Sequence, residues 1–211
     1  MSGTDCGSAR FVLSKGGIIT NQQQHETLCR RLLDSPVIAA VKDDAGLDAA
    51  LQSECGAVFL LYGSAAGVCT QVDKVRAAGK LAIVHIDLID GLSGREAAVD
   101  ALEALCHPDG LISTKPAVIR RARHLGLVTV QRAFLLDSMS VENLSAQLAV
   151  GKPDFLEVLP GIMPRIIARI TASTDTPVIA GGLIQYKDEV MAAMGAGAAA
   201  VSTSSPAVWA M

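Results

Sequence analysis

Three ionisable residues, His85, Asp87 and Asp90, interrupt the apolar run VHIDLIDGL. An uncompensated carboxylate is costly to bury, so such groups at the end of a hydrophobic segment point to a ligand or a proton rather than to packing. The same bias recurs downstream. Ser113, Thr114 and Lys115 close GLIST and its following turn, Gln131 and Arg132 sit late in LVTVQRAF, and Glu157 precedes Leu159-Pro160-Gly161. His85, Asp87, Asp90, Lys115, Gln131, Arg132 and Glu157 therefore read as one site carrying both charge signs. Two later segments add different chemistry: Gly181-Gly182 follows PVIA, and Ser202-Thr203-Ser204-Ser205 follows AAAV. Glycine lets backbone N–H groups come close to an anion, and hydroxyls with a helix start at SPAVW complete a phosphate cradle. The implied ligand is small, polyhydroxylated and phosphorylated. Asp87, Asp90 and Glu157 could also hold a divalent cation such as magnesium, because hard ions take oxygen ligands.

These residues need a frame that brings their segments together. Eight short apolar or β-branched runs recur along the chain: 37–41, 57–61, 81–87, 110–114, 127–134, 154–160, 177–182 and 198–204. Segments of 3.6-residue period lie between them, including DDAGLDAALQSE, GREAAVDALEAL, PAVIRRARHLG, SVENLSAQLAV and PRIIARITAST. Ser93, Ser140 and Ser205 are candidate N-caps, and Gly79, Gly126, Gly151 and Gly195 close helices before the next strand. Eight strand–helix alternations predict an α/β fold, a (β/α)8 TIM-type barrel, at the short end of its length range. Residues 1–35 form an N-terminal extension with one helix, QQQHETLCRRLLDS, placed to plug the barrel bottom, behind a mobile tail. Residues 36–211 form the barrel. Polar groups at the C-terminal ends of strands then gather at the mouth, where such barrels bind and react.

Composition narrows the classes. Half of the residues are hydrophobic but only 3% are aromatic, which suits a parallel sheet built from Ala, Val, Ile and Leu. A net charge of -3 with interspersed signs provides no global attraction to nucleic acid or anionic lipid. Mean hydropathy is +0.39, yet no apolar run approaches the ~20 residues of a spanning helix. The five cysteines (Cys6, Cys29, Cys55, Cys69, Cys106) are odd in number and irregularly spaced, which predicts reduced thiols in a cytoplasmic protein. Arg120, Arg121, Arg123 and His124 make a basic turn, read as a solvated face or as an RNA patch; no aromatics are interleaved with it for base stacking.

The blocks IVHIDLIDGL, LISTK, VQRAFLLDS, DFLEVLPGIMP and PVIAGGLI, in this order, resemble the glycerol-3-phosphate-responsive antiterminators, over about residues 35 to 209. The resemblance implies a TIM-barrel-like regulator that binds glycerol 3-phosphate and acts on the mRNA leader of glycerol-utilisation genes. By position, His85 and Asp87 would face the glycerol end, with Lys115, Gln131 and Glu157 around it, while Gly181, Gly182, Ser202 and Thr203 would hold the phosphate. RNA contact by Arg120, Arg121 and Arg123 rests on this resemblance and not on residue physics. No cofactor beyond the effector is expected, and a homo-oligomer stays open. The competing reading is an aldolase, epimerase or isomerase on a phosphorylated polyol, with Asp87 or Glu157 as base, His85 as proton shuttle and Lys115 or a metal as electrophile.

Overall fold

The computed structural model describes residues 20–210, together with the backbone of a short antiparallel ladder, Leu13–Ser14 with Gly17–Ile18. Eight parallel strands follow: β1 Val37–Val41, β2 Ala57–Leu60, β3 Leu81–His85, β4 Gly110–Ser113, β5 Val128–Phe134, β6 Phe155–Leu159, β7 Val178–Gly181 and β8 Ala200–Thr203. Each pairs with its successor, and β8 closes on β1 through Ser202 opposite Ile38, which makes a closed barrel. The helices are α1 Asn21–Asp34, α2 Asp44–Gln52, α3 Val68–Ala77, α4 Glu96–Cys106, α5 Pro116–His124, α6 Ser138–Glu142, α7 Leu144–Gly151, α8 Pro164–Thr171, α9 Lys187–Gly195 and α10 Pro206–Trp209. The (β/α)8 expectation is met.

Strand alternation divides the apolar residues into two layers. Ile38, Ala40, Phe59, Leu81, Ile83, Ile112, Val128, Val130, Phe155, Ile179 and Ala200 fill the barrel interior. Val58, Leu60, Val84 and Leu111 face outward onto Leu47, Val72, Val99 and Val118 of α2 to α5. Leu156, Val158 and Val201 do the same against Ile167 and Ile170 of α8 and Val190 of α9. Both layers are mainly aliphatic, with Phe59 and Phe155 the largest side chains of the interior one.

Helix α1 begins with a capping box between Thr20 and Gln23, which satisfies two otherwise orphaned N–H groups. Its Leu32 is fully buried, and Leu28 and Cys29 pack with it against the barrel interior. The helix thus lies across the N-terminal ends of the strands. Arg31 donates to Gly79 O at 2.8 Å, and His25 bonds Asp154, which precedes β6. The expected mobile tail lies outside the described residues.

Several local expectations need correction. Cys69 on α3 and Cys106 on α4 are joined by a disulfide, their Cα atoms 4.5 Å apart, so not all cysteines are reduced thiols. Successive βα units lay their helices side by side, and this adjacency does not show in a 37-residue spacing. Cys55 and Cys29 are free, and Cys6 lies outside the described residues. SVENLSAQLAV is two helices, broken at Asn143. Ser140 is the third residue of α6 and reciprocates a cap from Asp137; α4 starts after Arg95, two residues beyond Ser93. Ser205 does precede α10, but without a side-chain cap bond.

Candidate functional site

The last buried apolar residue to point inward on each strand is Ala40, Phe59, Ile83, Ile112, Val130, Phe155, Ile179 or Ala200. Two residues further on, at the next inward position, stand Lys42, Leu61, His85, Thr114, Arg132, Glu157, Gly181 and Ser202. One step along the pleat thus turns an all-apolar layer into a largely polar one at the C-terminal face. A cavity of about 520 Å³ opens there. Lys42, Arg132, Glu157, Ser202 and the loop ends Gly182–Gln185 and Thr203–Ser205 line it.

At its floor Arg132 Nε donates to Glu157 Oε2 at 2.6 Å, and Ser202 Oγ donates to the other carboxylate oxygen at 2.5 Å. Both charges are buried: Arg132 is 6% exposed and Glu157 0%. Register dictates the pair, since Arg132 and Glu157 are partners across β5 and β6. Gly181 completes it by being small. A Cβ there would sit 2.6 Å from both Glu157 Oε1 and Ser202 Oγ. Gly181→Ala is therefore expected to break the Ser202–Glu157 bond and to cost about 1–3 kcal/mol. Chemical denaturation of the variant checks this, and an unchanged midpoint would refute the tight contact.

A second polar group lies beside β3 and β4. Asp87 is not on β3 but in a 3-10 turn, Ile86–Leu88, that carries the chain off the strand end. Its Oδ2 accepts from Ser113 Oγ at 2.9 Å and from Thr114 N at 2.8 Å, and Lys115 Nζ lies 3.8 Å from Oδ1. Lys115 Nζ also donates to Gly94 O at 3.3 Å, which draws the β3–α4 loop over the turn. His85 Nδ1 is 4.0 Å from Asp87 Oδ2, but this is not an ion pair. Burial, aided by the Arg132 charge and opposed by Asp87, lowers the His85 pKa to about 4, so its ring is neutral at neutral pH. His85 Nδ1 and Asp87 Oδ1 are buried without a hydrogen-bond partner among the described residues.

The predicted site residues divide accordingly. Glu157, Gly182, Ser202 and Thr203 line the cavity, Gly181 supports it from behind, and His85, Asp87 and Lys115 form the adjoining group. Gln131 does not belong. It shares the outward face of β5 with Thr129, donates to Gln147 of α7 at 3.3 Å, and would be struck by a Cβ at Gly151. Alternation puts its neighbour Arg132 inward instead. Thr203 contributes no free hydroxyl, because Oγ1 donates to Ile184 O at 2.6 Å and accepts from Ser205 N. Asp90 is exposed, and its backbone pairs with Gly63 and Ala65. Among the described residues Asp87, Asp90 and Glu157 do not bring ligand atoms within 4.8 Å of one another, so that magnesium set is withdrawn. Lys42 also lines the cavity, and its signal in the sequence is a charge directly after the apolar run of β1.

On α5 each arginine meets a carboxylate: Arg120 with Glu96 at 3.4 Å, Arg121 with Asp100 at 2.7 Å and Arg123 with Asp154 at 3.0 Å. The basic turn is thus interleaved with acids from α4 and from the loop before β6.

The family model for glycerol-3-phosphate responsive antiterminators matches residues 37–209, the whole barrel with its polar mouth. The chain belongs to that family. A glycerol uptake operon antiterminator regulatory protein from Listeria monocytogenes str. 4b F2365 is 32% identical, with a TM-score of 0.79 over 82% of this chain and 94% of its own. A glycerol uptake operon antiterminator-related protein from Thermotoga maritima MSB8 is 30% identical, with a TM-score of 0.74 over 84% of this chain and 99% of its own. YgcP of Escherichia coli K12, described as uncharacterized, is 40% identical over 86% of this chain and 95% of its own length. Aldolases that superpose at much lower identity share the fold alone. In this antiterminator-family chain no helix among the described residues is long and apolar enough to cross a membrane.

Proposed function

We propose that this chain is a glycerol-3-phosphate-responsive antiterminator that binds the mRNA leader of glycerol-utilisation genes, and that the mouth cavity is its effector site. The observation that carries the proposal is the buried Arg132–Glu157–Ser202 constellation at the floor of a cavity whose rim holds Lys42 and the glycine- and serine-rich ends of β7 and β8. The rim suits phosphate: Lys42 supplies a point charge, Gly182 a close backbone approach at φ +75°, and Ser204 a hydroxyl. Glu157 suits a glycerol hydroxyl, with His85 and Asp87 beyond it. The 520 Å³ volume lies within the usual range of ligand pockets.

Calorimetric titration with glycerol 3-phosphate is expected to saturate at one ligand per chain, with glycerol and inorganic phosphate each binding far more weakly. Lys42→Ala should weaken binding at least tenfold with an unchanged unfolding midpoint, and Asp87→Ala by a similar factor with a lowered midpoint, because it strands the Ser113 and Thr114 donors. Equal affinity of wild type and Lys42→Ala would remove the phosphate assignment. Leader RNA should then bind more tightly with effector than without, and bind less as salt rises. For RNA we assign Arg120 and Arg121, whose surface pairs with Glu96 and Asp100 are weak enough for a phosphate to replace. Arg123 is committed to Asp154 and Lys152 O. No turnover is expected: incorporation of deuterium from solvent into glycerol 3-phosphate would favour the isomerase or epimerase reading instead.

A further inference from the structure

At the end of the barrel away from the cavity, α1 presents His25 and Cys29, one turn apart, to Asp154. His25 Nε2 lies 3.0 Å from Asp154 Oδ1 and 3.6 Å from Cys29 Sγ, and one donor atom of each residue lies within 4.8 Å of the other two. The other ring nitrogen, Nδ1, is 3.2 Å from Gly126 O. Two chemistries use a cysteine, a histidine and an aspartate together. In a nucleophile triad the thiol and the acid stand on opposite nitrogens of the ring. Here both converge on Nε2, and Nδ1 faces a carbonyl. That is the layout of a metal-ligating histidine, whose second nitrogen donates to a backbone oxygen and so fixes the tautomer that aims the Nε2 lone pair at the ion.

We propose that His25, Cys29 and Asp154 bind a zinc ion that clamps α1 across the bottom of the barrel. A nitrogen, a sulfur and an oxygen donor match the borderline softness of zinc, and water would take the fourth tetrahedral position. Asp154 has the right atom for the task. Its Oδ2 is occupied by Thr129 N and Oγ1 at 2.9 and 2.6 Å, which aims Oδ1 at the other two ligands. Binding replaces the Nε2 proton and the thiol proton, both released to solvent, with no change of oxidation state. The group that opposes it is Arg123, whose Nη1 donates to the same Oδ1 at 3.0 Å. Removing that charge should therefore favour the metal.

The test uses the full chain after chelator treatment and dialysis, titrated with cobalt(II) chloride as a spectroscopic stand-in and then with zinc chloride. Expected are one cobalt per chain, tetrahedral visible bands, a near-ultraviolet thiolate-to-cobalt band, and displacement of all of them by zinc. Cys29→Ser should lose the thiolate band, His25→Gln should weaken binding at least tenfold, and Arg123→Ala should strengthen it. A Cys6→Ser, Cys55→Ser double variant should keep the band. No saturable spectrum with the unmodified chain would overturn the proposal whatever the variants do, as would a band that survives Cys29→Ser or disappears in the double variant.

Discussion

Arg132→Leu is expected to lower the unfolding free energy by about 3–5 kcal/mol, the loss typical of stranding one member of a buried ion pair. Glu157 is fully buried, and its charge is balanced by the Arg132 guanidinium at 2.6 Å and by one hydroxyl, Ser202. Removing the guanidinium leaves a buried carboxylate with only Ser202 to stabilise it. The chain must then protonate Glu157, admit water, or unfold. The double change Arg132→Met with Glu157→Leu removes both charges and should recover most of the lost stability, since an apolar pair of similar volume often replaces a buried ion pair at no cost. Effector binding should nevertheless be lost in the single and the double variant alike. That split separates the two roles of the pair: urea denaturation reads the first and calorimetry the second. A single variant within about 1 kcal/mol of the parent would mean that solvent reaches Glu157.

Acid should destabilise the fold through His85. The ring is buried and its pKa is lowered to about 4, mainly by burial and then by the Arg132 charge. In the unfolded chain it titrates near 6.5. Above that pH the residue is neutral in both states and has no pH-dependent effect. Between about 6.5 and 4 the unfolded state takes up a proton that the folded state refuses, so stability falls as pH falls. The loss is complete near the folded pKa and amounts to on the order of 3 kcal/mol. In unfolding curves collected from pH 7.5 to 4 the parent should lose on the order of 3 kcal/mol relative to His85→Leu, because the leucine variant lacks this proton uptake. Parallel curves would show that the folded imidazole takes up its proton at the same pH as the unfolded one. Carboxylates that also titrate in this range cancel in the comparison; Asp154 is not among them. Burial alone would push the Asp154 carboxyl up, but hydrogen bonds from His25 and Thr129 outweigh it and hold the carboxyl below the usual range.

The alternation of short branched runs with 3.6-period segments made the barrel legible, because both signals are local and each strand is buried on two faces. The ends of those runs also located the mouth. Parity was harder to read: in VTVQRAF the strand is covered on both sides, so hydrophobicity does not mark which of Gln131 and Arg132 points inward. Val128 and Val130 carried a hint, since Thr129 between them is the polar one. Asp87 was misplaced for a related reason, because a strand pattern continues through it while the chain has already turned.

By itself, then, the sequence determined the eightfold βα order, the small aliphatic character of both packing layers, and the clustering of charge and hydroxyls after the strands. These follow from intrinsic preference and periodicity over a few residues. Tertiary structure alone decided that Arg132 meets Glu157, that Cys69 reaches Cys106, that the arginines of α5 face acids, and that His25 finds Asp154 129 residues away. Each of those contacts depends on closure of the barrel, which sets register and neighbouring helices between segments that share no local pattern.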